Sequence, residues 1–367
     1  MAIKNSTKEL AFFELYARFI KDSQRGKRLQ PNGKRISVGT VANYAYTCKL
    51  LLRFCERKQF RLRIRTTRRL SHREAEMEKN YWKKFYKQFS AYLYEDCGHY
   101  DNYVGQNMKN IRVFFNYLNK DLALGVGEFH KQFYVTKDEV PIFPLMPEEL
   151  NFLVYDEAFT ESLSRRMREV KDFFVFGCTV ALRVSDLFSL KKSNIRIVNG
   201  QYYLAVRSIK TSTDSLIRLP DYAVSILNRY AKQKQRLLPR FNKTNLNKYI
   251  KLLLELAGFT HAINKTRDKR GKPVELKMEK KNGVARQYRF CDAAGTHSMR
   301  RTAITTMLSL GVPEQVVRRI SGHSPSGKEF YRYVLWAQTY QDNETRKMFE
   351  ILKQKKMNNG IHLDLNK

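Results

Sequence analysis

In the second half of this chain a few cationic and phenolic side chains stand at spacings that suit an oxyanion. Arg183 closes the apolar run FFVFGCTVALR and is followed by VSDLFSL. A guanidinium set against a core needs an anionic partner, because an unpaired buried charge is costly. Asp186, one turn further on, is one such partner; a phosphate is another. In Gly295-Thr-His297-Ser-Met-Arg300 the histidine and arginine are three apart. On a helix they share a face and can approach one oxyanion together. Thr296 is placed to cap that helix, and a helix start favours anions. In Ile320-Ser-Gly322-His323 the helix opened by Pro313 is ended by Gly322, which leaves His323 in the turn. Tyr331 and Tyr333 follow it by eight and ten residues. Lys210 sits at the tip of the hairpin pattern RSIKTSTDS. Taken singly, each has an ordinary reading: a solvated lysine or arginine, a core histidine, a histidine in a loop.

The overall charge suits such a site. Lys and Arg number 69 against 35 Asp and Glu, a formal net charge of +34. A compact body holds that excess comfortably only beside a polyanion, which indicates nucleic acid and argues against a small neutral metabolite. The rival polyanion is a membrane surface, but the longest apolar stretch, Phe173 to Leu182, falls far short of the ~20 residues a spanning helix needs. The N-terminus, MAIKNSTKEL, lacks an apolar signal core, so the default compartment is cytoplasmic. Cys48, Cys55, Cys97, Cys178 and Cys291 are scattered, with no CxxC pair or Cys/His cluster. Neither a disulfide framework nor a zinc site is indicated.

The elements that must position these groups fall into two halves, as the 367-residue length allows. From Ser6 to about Leu124 the pattern predicts a bundle of about four helices, with Thr40 as a cap and the aromatic stripe as core. A change of pattern at 125–147, extended and holding Pro141, Pro144 and Pro147, marks a boundary, and residues 125–143 read as a linker. Pro147 with Glu148 and Glu149 marks a helix start, and Val170 to Leu190 is one helical run. Tyr202, Leu204 and Val206 alternate with polar residues, then Leu216 to Leu219 resumes after a turn, which predicts a hairpin. Tyr222–Gln235 and Leu246–Ala257 return to helical spacing. Within 265–290, a turn at 270–273 precedes two strand-like runs, Val274–Met278 and Val284–Phe290, that flank an Asn-Gly turn. The segment TYQDNETRKMFEILKQ predicts an amphipathic helix with Met348, Phe349, Ile351 and Leu352 available for packing. The domains are therefore 1–124, a linker at 125–143, 144–350, and a tail at 351–367.

The order Arg, hairpin Lys, HxxR, GH, Tyr resembles the signature of the tyrosine recombinases, the phage-integrase type of site-specific recombinase. GCTVALRVSDLFSLKKSNI resembles the family's arginine segment, and THSMRRTAITTMLSLGVPEQVVRRISGHS resembles its HxxR-to-GH segment throughout. The match covers roughly 144–350. The first half, with SVGTVANYAYTCKLLLRFC, resembles the family's core-binding domain less specifically, and the FYRYV wording resembles integrases of Bacteroides-type mobile elements. The implied fold is mainly α with a small β-hairpin or sheet. A helical, SAM-like core-binding domain precedes a mixed α/β catalytic domain, and the two form a clamp on DNA.

The resemblance implies roles. Arg183 and Arg300 bracket the scissile phosphate, a task suited to guanidinium forks. His297 hydrogen-bonds the phosphate and assists proton transfer. His323 contacts a non-bridging oxygen or supports the nucleophile. Lys210 protonates the leaving 5′-oxygen. A tyrosine attacks phosphorus and forms a 3′-phosphotyrosyl link, which keeps the phosphodiester energy and lets religation proceed without ATP. The family's usual spacing from the GH histidine is nine residues, where this chain has Arg332. The frame Phe330-Tyr331-Arg332-Tyr333-Val334 places Tyr333 ahead of Tyr331, with one extra residue in the preceding loop. No metal or other cofactor is expected. The expected partners are double-stranded DNA, sister protomers in a homotetramer, and optionally an accessory DNA-bending protein. The basic stretches 61–70 and 265–288 are either phosphate contacts or solvated surface. The rival functions are a type IB topoisomerase and a non-catalytic DNA-binding regulator.

Overall fold

Apolar residues at helical spacing build the first half of the molecule in this computed structural model, which describes residues 9–358 apart from 69, 210–212, 280–284 and 325–326. A short pair, β1 (Glu9–Ala11) and β2 (Arg63–Arg65), joins four helices: α1 (Phe12–Arg25), α2 (Val38–Lys58), α3 (His72–Ala91) and α4 (Asp101–Lys120). Tyr16, Phe19, Phe54, Trp82, Phe85 and Phe114 are buried, so the aromatic stripe is core. The α2 start differs from the sequence reading. Ser37 is the cap, its Oγ accepting from the Thr40 amide, because Ser37 alone has the extended backbone a cap requires.

The chain divides into two units, one of 1–140 with 266–276 and one of 141–265 with 277–367. The stretch 125–140, read as linker, therefore lies in the first unit; Val126, His130 and Phe133 are buried there. A hairpin of Thr266–Lys269 and Lys272–Glu275 belongs to the same unit. Its turn residues Arg270 and Gly271 both have positive φ, as a tight hairpin turn requires. Both turn amides donate to the buried carboxylate of Asp101 at 2.8 Å, and Asp268 N–H donates to Asp138 at 3.1 Å. The sequence marks only the turn at 270–273, within 144–350, because nothing local shows Asp101 to be its acceptor.

In the second unit α5 (Pro147–Tyr155) starts at its proline, and α6 (Glu157–Ser162) follows. The run 170–190 is two helices, α7 (Arg165–Val180) and α8 (Val184–Ser189), because Ala181 turns left-handed with φ +54°. The predicted hairpin gains a third strand: β3 (Ile195–Val198), β4 (Gln201–Arg207) and β5 (Asp214–Arg218) form an antiparallel sheet in that order. Helix α9 (Asp221–Arg229) stops short of the predicted Gln235, and α10 (Lys243–Leu256) follows. Next come β6 (Ala262–Ile263), β7 (Lys277–Glu279) and β8 (Ala285–Arg289), with β8 central. The Asn-Gly turn between β7 and β8 lies outside the described residues. The chain ends with α11 (Phe290–Ala293), α12 (Thr296–Ser309), α13 (Glu314–Ser321) and α14 (Tyr331–Asn358). No helix among the described residues is long and apolar enough to cross a membrane.

Helix α12 is the centre of this unit and packs on both α7 and α14. Gly177 makes the α7 contact possible. A Cβ there would collide with the Met299 side chain, so the bare backbone lets the two helices approach. The buried Thr302 hydroxyl accepts from the Leu145 amide at 2.9 Å, and Gln341 on α14 donates to the Ser309 carbonyl at 3.1 Å.

Candidate functional site

The site forms where the ends of α7, α12 and α13 meet the start of α14. Thr296 is the first residue of α12 rather than its cap, and its amide is taken at 2.9 Å by Asn247 Oδ1 from α10. His297, in that first turn, is exposed, whereas Arg300, one turn on, is only 6% exposed. Arg300 Nη1 donates to the Ala181 carbonyl at 2.9 Å, and Nη2 lies 3.2 and 3.3 Å from the two ring nitrogens of His323. Burial of the guanidinium pulls the Arg300 pKa down to about 10; the Arg183 cation adds to this, and Tyr333 and Asp186 oppose it. These four groups therefore share one electrostatic neighbourhood.

Arg183 does not pair directly with Asp186. Its Nη1 donates at 3.0 Å to Ser208 Oγ, which donates in turn at 3.2 Å to Asp186 Oδ2. Asp186 Oδ1 accepts the Ile209 amide at 3.1 Å. The buried carboxylate therefore anchors the end of β4 and the arginine through one hydroxyl. Lys210 is the next residue of the chain and lies outside the described residues.

His323 follows α13, which Gly322 ends with φ +64°, as its sequence suggests. Ser321 Oγ gives its proton to the Val317 carbonyl at 2.6 Å and lies 2.8 Å from His323 Nδ1. That network assigns the proton to Nδ1 and leaves Nε2 as the acceptor for Arg300. Burial and the cations of Arg300, Arg183, Arg318 and Arg332 push the His323 pKa to about 3, so its imidazole is neutral at physiological pH. The His297 pKa is lowered too, first by partial desolvation of the ring and then by Arg301, Lys243, Arg300 and Arg332.

Both candidate tyrosines lie on the first turn of α14 and point differently. Tyr333 is 5% exposed, with its ring 5.9 Å from that of His323, whereas Tyr331 is 61% exposed. Arg332, between them, holds its guanidinium 5.4 Å from the Tyr333 ring, and its Nε is buried without a hydrogen-bond partner among the described residues. The structure thus brings Arg183, Arg300, His297, His323 and Tyr333 together. Sequence reasoning missed Ser208, Ser321, Asn247 and Arg332. Small polar residues beside a motif carry no periodic signal, and in the sequence Arg332 only interrupts the expected spacing.

Residues 155–335 match the family model described as the phage integrase family. No curated protein matches the sequence significantly. Among solved structures, the XerH site-specific recombinase in its post-cleavage complex with palindromic difH superposes with a TM-score of 0.57 at 14% identity, over 92% of this chain and 88% of that one. A lambda integrase dimer bound to a COC′ core site gives 0.54 at 14% identity, over 90% and 79%. The Tn1549 transposon integrase with transposon right-end DNA gives 0.54 at 14% identity, over 88% and 95%. At such identity these likenesses establish the fold.

Proposed function

We propose, on the premise that this chain belongs to the phage integrase family, that it is a tyrosine-type site-specific recombinase acting on double-stranded DNA in the integration or excision of a mobile element. The observation that carries the reading is the meeting of Arg183 and Arg300 beside a buried tyrosine. Two like charges that repel each other in one pocket favour an anion between them. A phosphodiester has the charge and the oxygen geometry that two guanidinium forks recognise.

The Tyr333 oxygen forms a bond to phosphorus and the bond from phosphorus to the 5′-oxygen breaks. The phenolic proton passes to a neighbouring imidazole. His297 assists that transfer, and His323, neutral and hydrogen-bonded by Arg300, supports the nucleophile. Lys210 supplies the proton to the leaving 5′-oxygen, and His297 and both arginines hold the non-bridging oxygens. The 5′-hydroxyl of another strand then reverses the step and restores the phosphodiester, producing strand exchange through a Holliday junction. The charge in this pocket comes from side chains, so chelators leave cleavage unaffected.

Among the neighbours, a lambda integrase tetramer is bound to a Holliday junction. A homotetramer on DNA is the proposed working form here. Met348, Phe349 and Ile351 are exposed near the end of α14, which supports docking of this helix on a sister protomer. An accessory bending protein is compatible with this scheme, and the compartment is the cytoplasm, where the DNA substrate lies. A pool of nicked duplexes of randomised sequence tests the reading. A recombinase leaves a protein–DNA adduct on a denaturing gel, and mass mapping of the linked peptide finds Tyr333. Tyr333→Phe abolishes the adduct, whereas Tyr331→Phe only weakens it. Absence of adducts from the whole pool would leave a DNA-binding regulator. Relaxation of supercoiled DNA without recombinant product would indicate a topoisomerase.

A further inference from the structure

We propose that Arg318 is a positioning residue that fixes the turn between His323 and α14, and so presents Tyr333 rather than Tyr331 as the nucleophile. The proposal rests on the recombinase reading and assigns a role to a residue outside its motifs.

Arg318 lies on α13, with a side chain only 14% exposed. Its Nε donates to Glu314 at 2.7 Å, an ordinary one-turn ion pair that is worth little at a surface. The remaining donors leave the helix. Nη1 donates to the Ser324 carbonyl at 2.9 Å and to the Gly327 carbonyl at 3.3 Å. The guanidinium carbon also lies 4.2 Å from the ring centroid of Phe330, within cation–π range. The turn is closed on itself as well, since the Gly327 amide donates to the Ser324 carbonyl at 3.1 Å. The Gly327 carbonyl then accepts the Phe330 amide at 3.2 Å. One guanidinium therefore holds both ends of the turn through Nη1 and covers the face of the aromatic residue that follows it.

Phe330 transmits that restraint. It is fully buried, and its ring centroid lies 5.1 Å from His323 and 5.7 Å from Tyr333. Tyr331 and Tyr333 are two positions apart on one helix, about 200° around its axis, so both cannot face Arg300. The point at which the turn ends sets the rotation of α14, and a slip of one residue rotates every side chain by about 100°. The Arg318 fork fixes that point. A lysine can reach the two carbonyls but has no planar group to lie over the Phe330 ring and no second nitrogen for Glu314.

The test has two arms. In DNA-free protein, 3-fluorotyrosine is placed singly at position 333 or 331 and followed by ¹⁹F NMR. Arg318→Met is expected to shift and broaden the resonances at both positions, that at 333 toward a solvent-exposed environment and that at 331 toward a buried one. A resonance at 333 identical to the parent's overturns the proposal, whatever the protein does to DNA. In the second arm, the randomised nicked-duplex pool is supplied at saturation. Arg318→Met should form adduct roughly 10- to 100-fold more slowly with unchanged duplex affinity, the range expected for a misplaced reacting group. Part of the linkage should move to Tyr331, and Arg318→Lys should recover only part of the rate. Parental rate with linkage at Tyr333 alone overturns the proposal. If Arg318→Met does not fold, Phe330→Leu replaces it with the same expected outcomes. Failure of the unsubstituted protein to form any adduct overturns the recombinase reading, and the NMR arm then decides the positioning role alone.

Discussion

Arg300 and Ala181 are 119 residues apart in sequence and are joined by a 2.9 Å hydrogen bond from Nη1 to the alanine carbonyl. Ala181 is the left-handed residue that ends α7, and Arg183 follows two positions later as the cap of α8. A single backbone turn thus supplies the acceptor for one arginine and directs the other. The positions of the two guanidinium groups are coupled through the packing of α7 on α12.

That coupling depends on Gly177. Gly177→Ala is expected to destabilise the protein by about 1–3 kcal/mol, as overpacking does, because the new methyl meets Met299. The double variant with Met299→Ala should recover part of the loss. Thermal melting of the two single variants and the double variant checks this. Simple additivity would place the strain elsewhere.

Ser208 is the hydroxyl that accepts from Arg183 and donates to Asp186. Ser208→Ala leaves the buried carboxylate one partner short and frees the arginine. Adduct formation should slow by roughly 10-fold or more, in line with the cost of an unsatisfied buried charge, while duplex affinity changes little. Single-turnover rates at saturating DNA measure the effect.

Acid should destabilise the fold. His323 is held at about 3 and the buried His130 at about 4, mainly by desolvation, whereas an unfolded histidine titrates near about 6.5. Below that value the unfolded chain binds protons that the native one refuses, so stability is lost progressively as pH falls toward the folded values. Melting temperatures at pH 7.5, 6.5 and 5.5 should decline in that order, and His130→Gln should flatten the decline. A profile without slope would contradict the neutral state of the buried His130 and the half-buried His323.

Asp101 ties the 266–275 hairpin into the first unit through two turn amides and also accepts from Tyr94 OH at 2.7 Å. Asp101→Ala should cost about 2–4 kcal/mol, the range for losing charge-assisted bonds at a buried site. It should also expose Lys269 and Lys272 at the turn to trypsin. Limited proteolysis with mass mapping reads this directly.

Truncation after residue 345 removes Met348, Phe349 and Ile351, which are exposed on α14. Covalent adduct with a single duplex should persist, because Tyr333 through Gln341 remains docked on the unit. Assembly of four protomers on a Holliday junction should fail, as native gels or light scattering will report. Undiminished assembly would mean that the helix end has no role between protomers.

The sequence by itself determined what local pattern can carry. Helical spacing marked the four N-terminal helices, the Pro147 start and the Gly322 stop, and excess Lys and Arg named the polyanion. The order of Arg183, His297-x-x-Arg300, Gly322-His323 and the tyrosines carries the resemblance to the tyrosine recombinases. Tertiary structure alone decided the rest. It turned Tyr333 inward and Tyr331 outward, although both stand in the same frame of aromatic and basic residues. It put Ser208 between Arg183 and Asp186, and it gave the hairpin at 266–275 to the first unit. The reason is that periodicity reports only neighbours within a turn or a strand. The fit of a bare Gly177 under Met299, or of a turn amide onto Asp101, depends on volumes and acceptors brought together from distant parts of the chain.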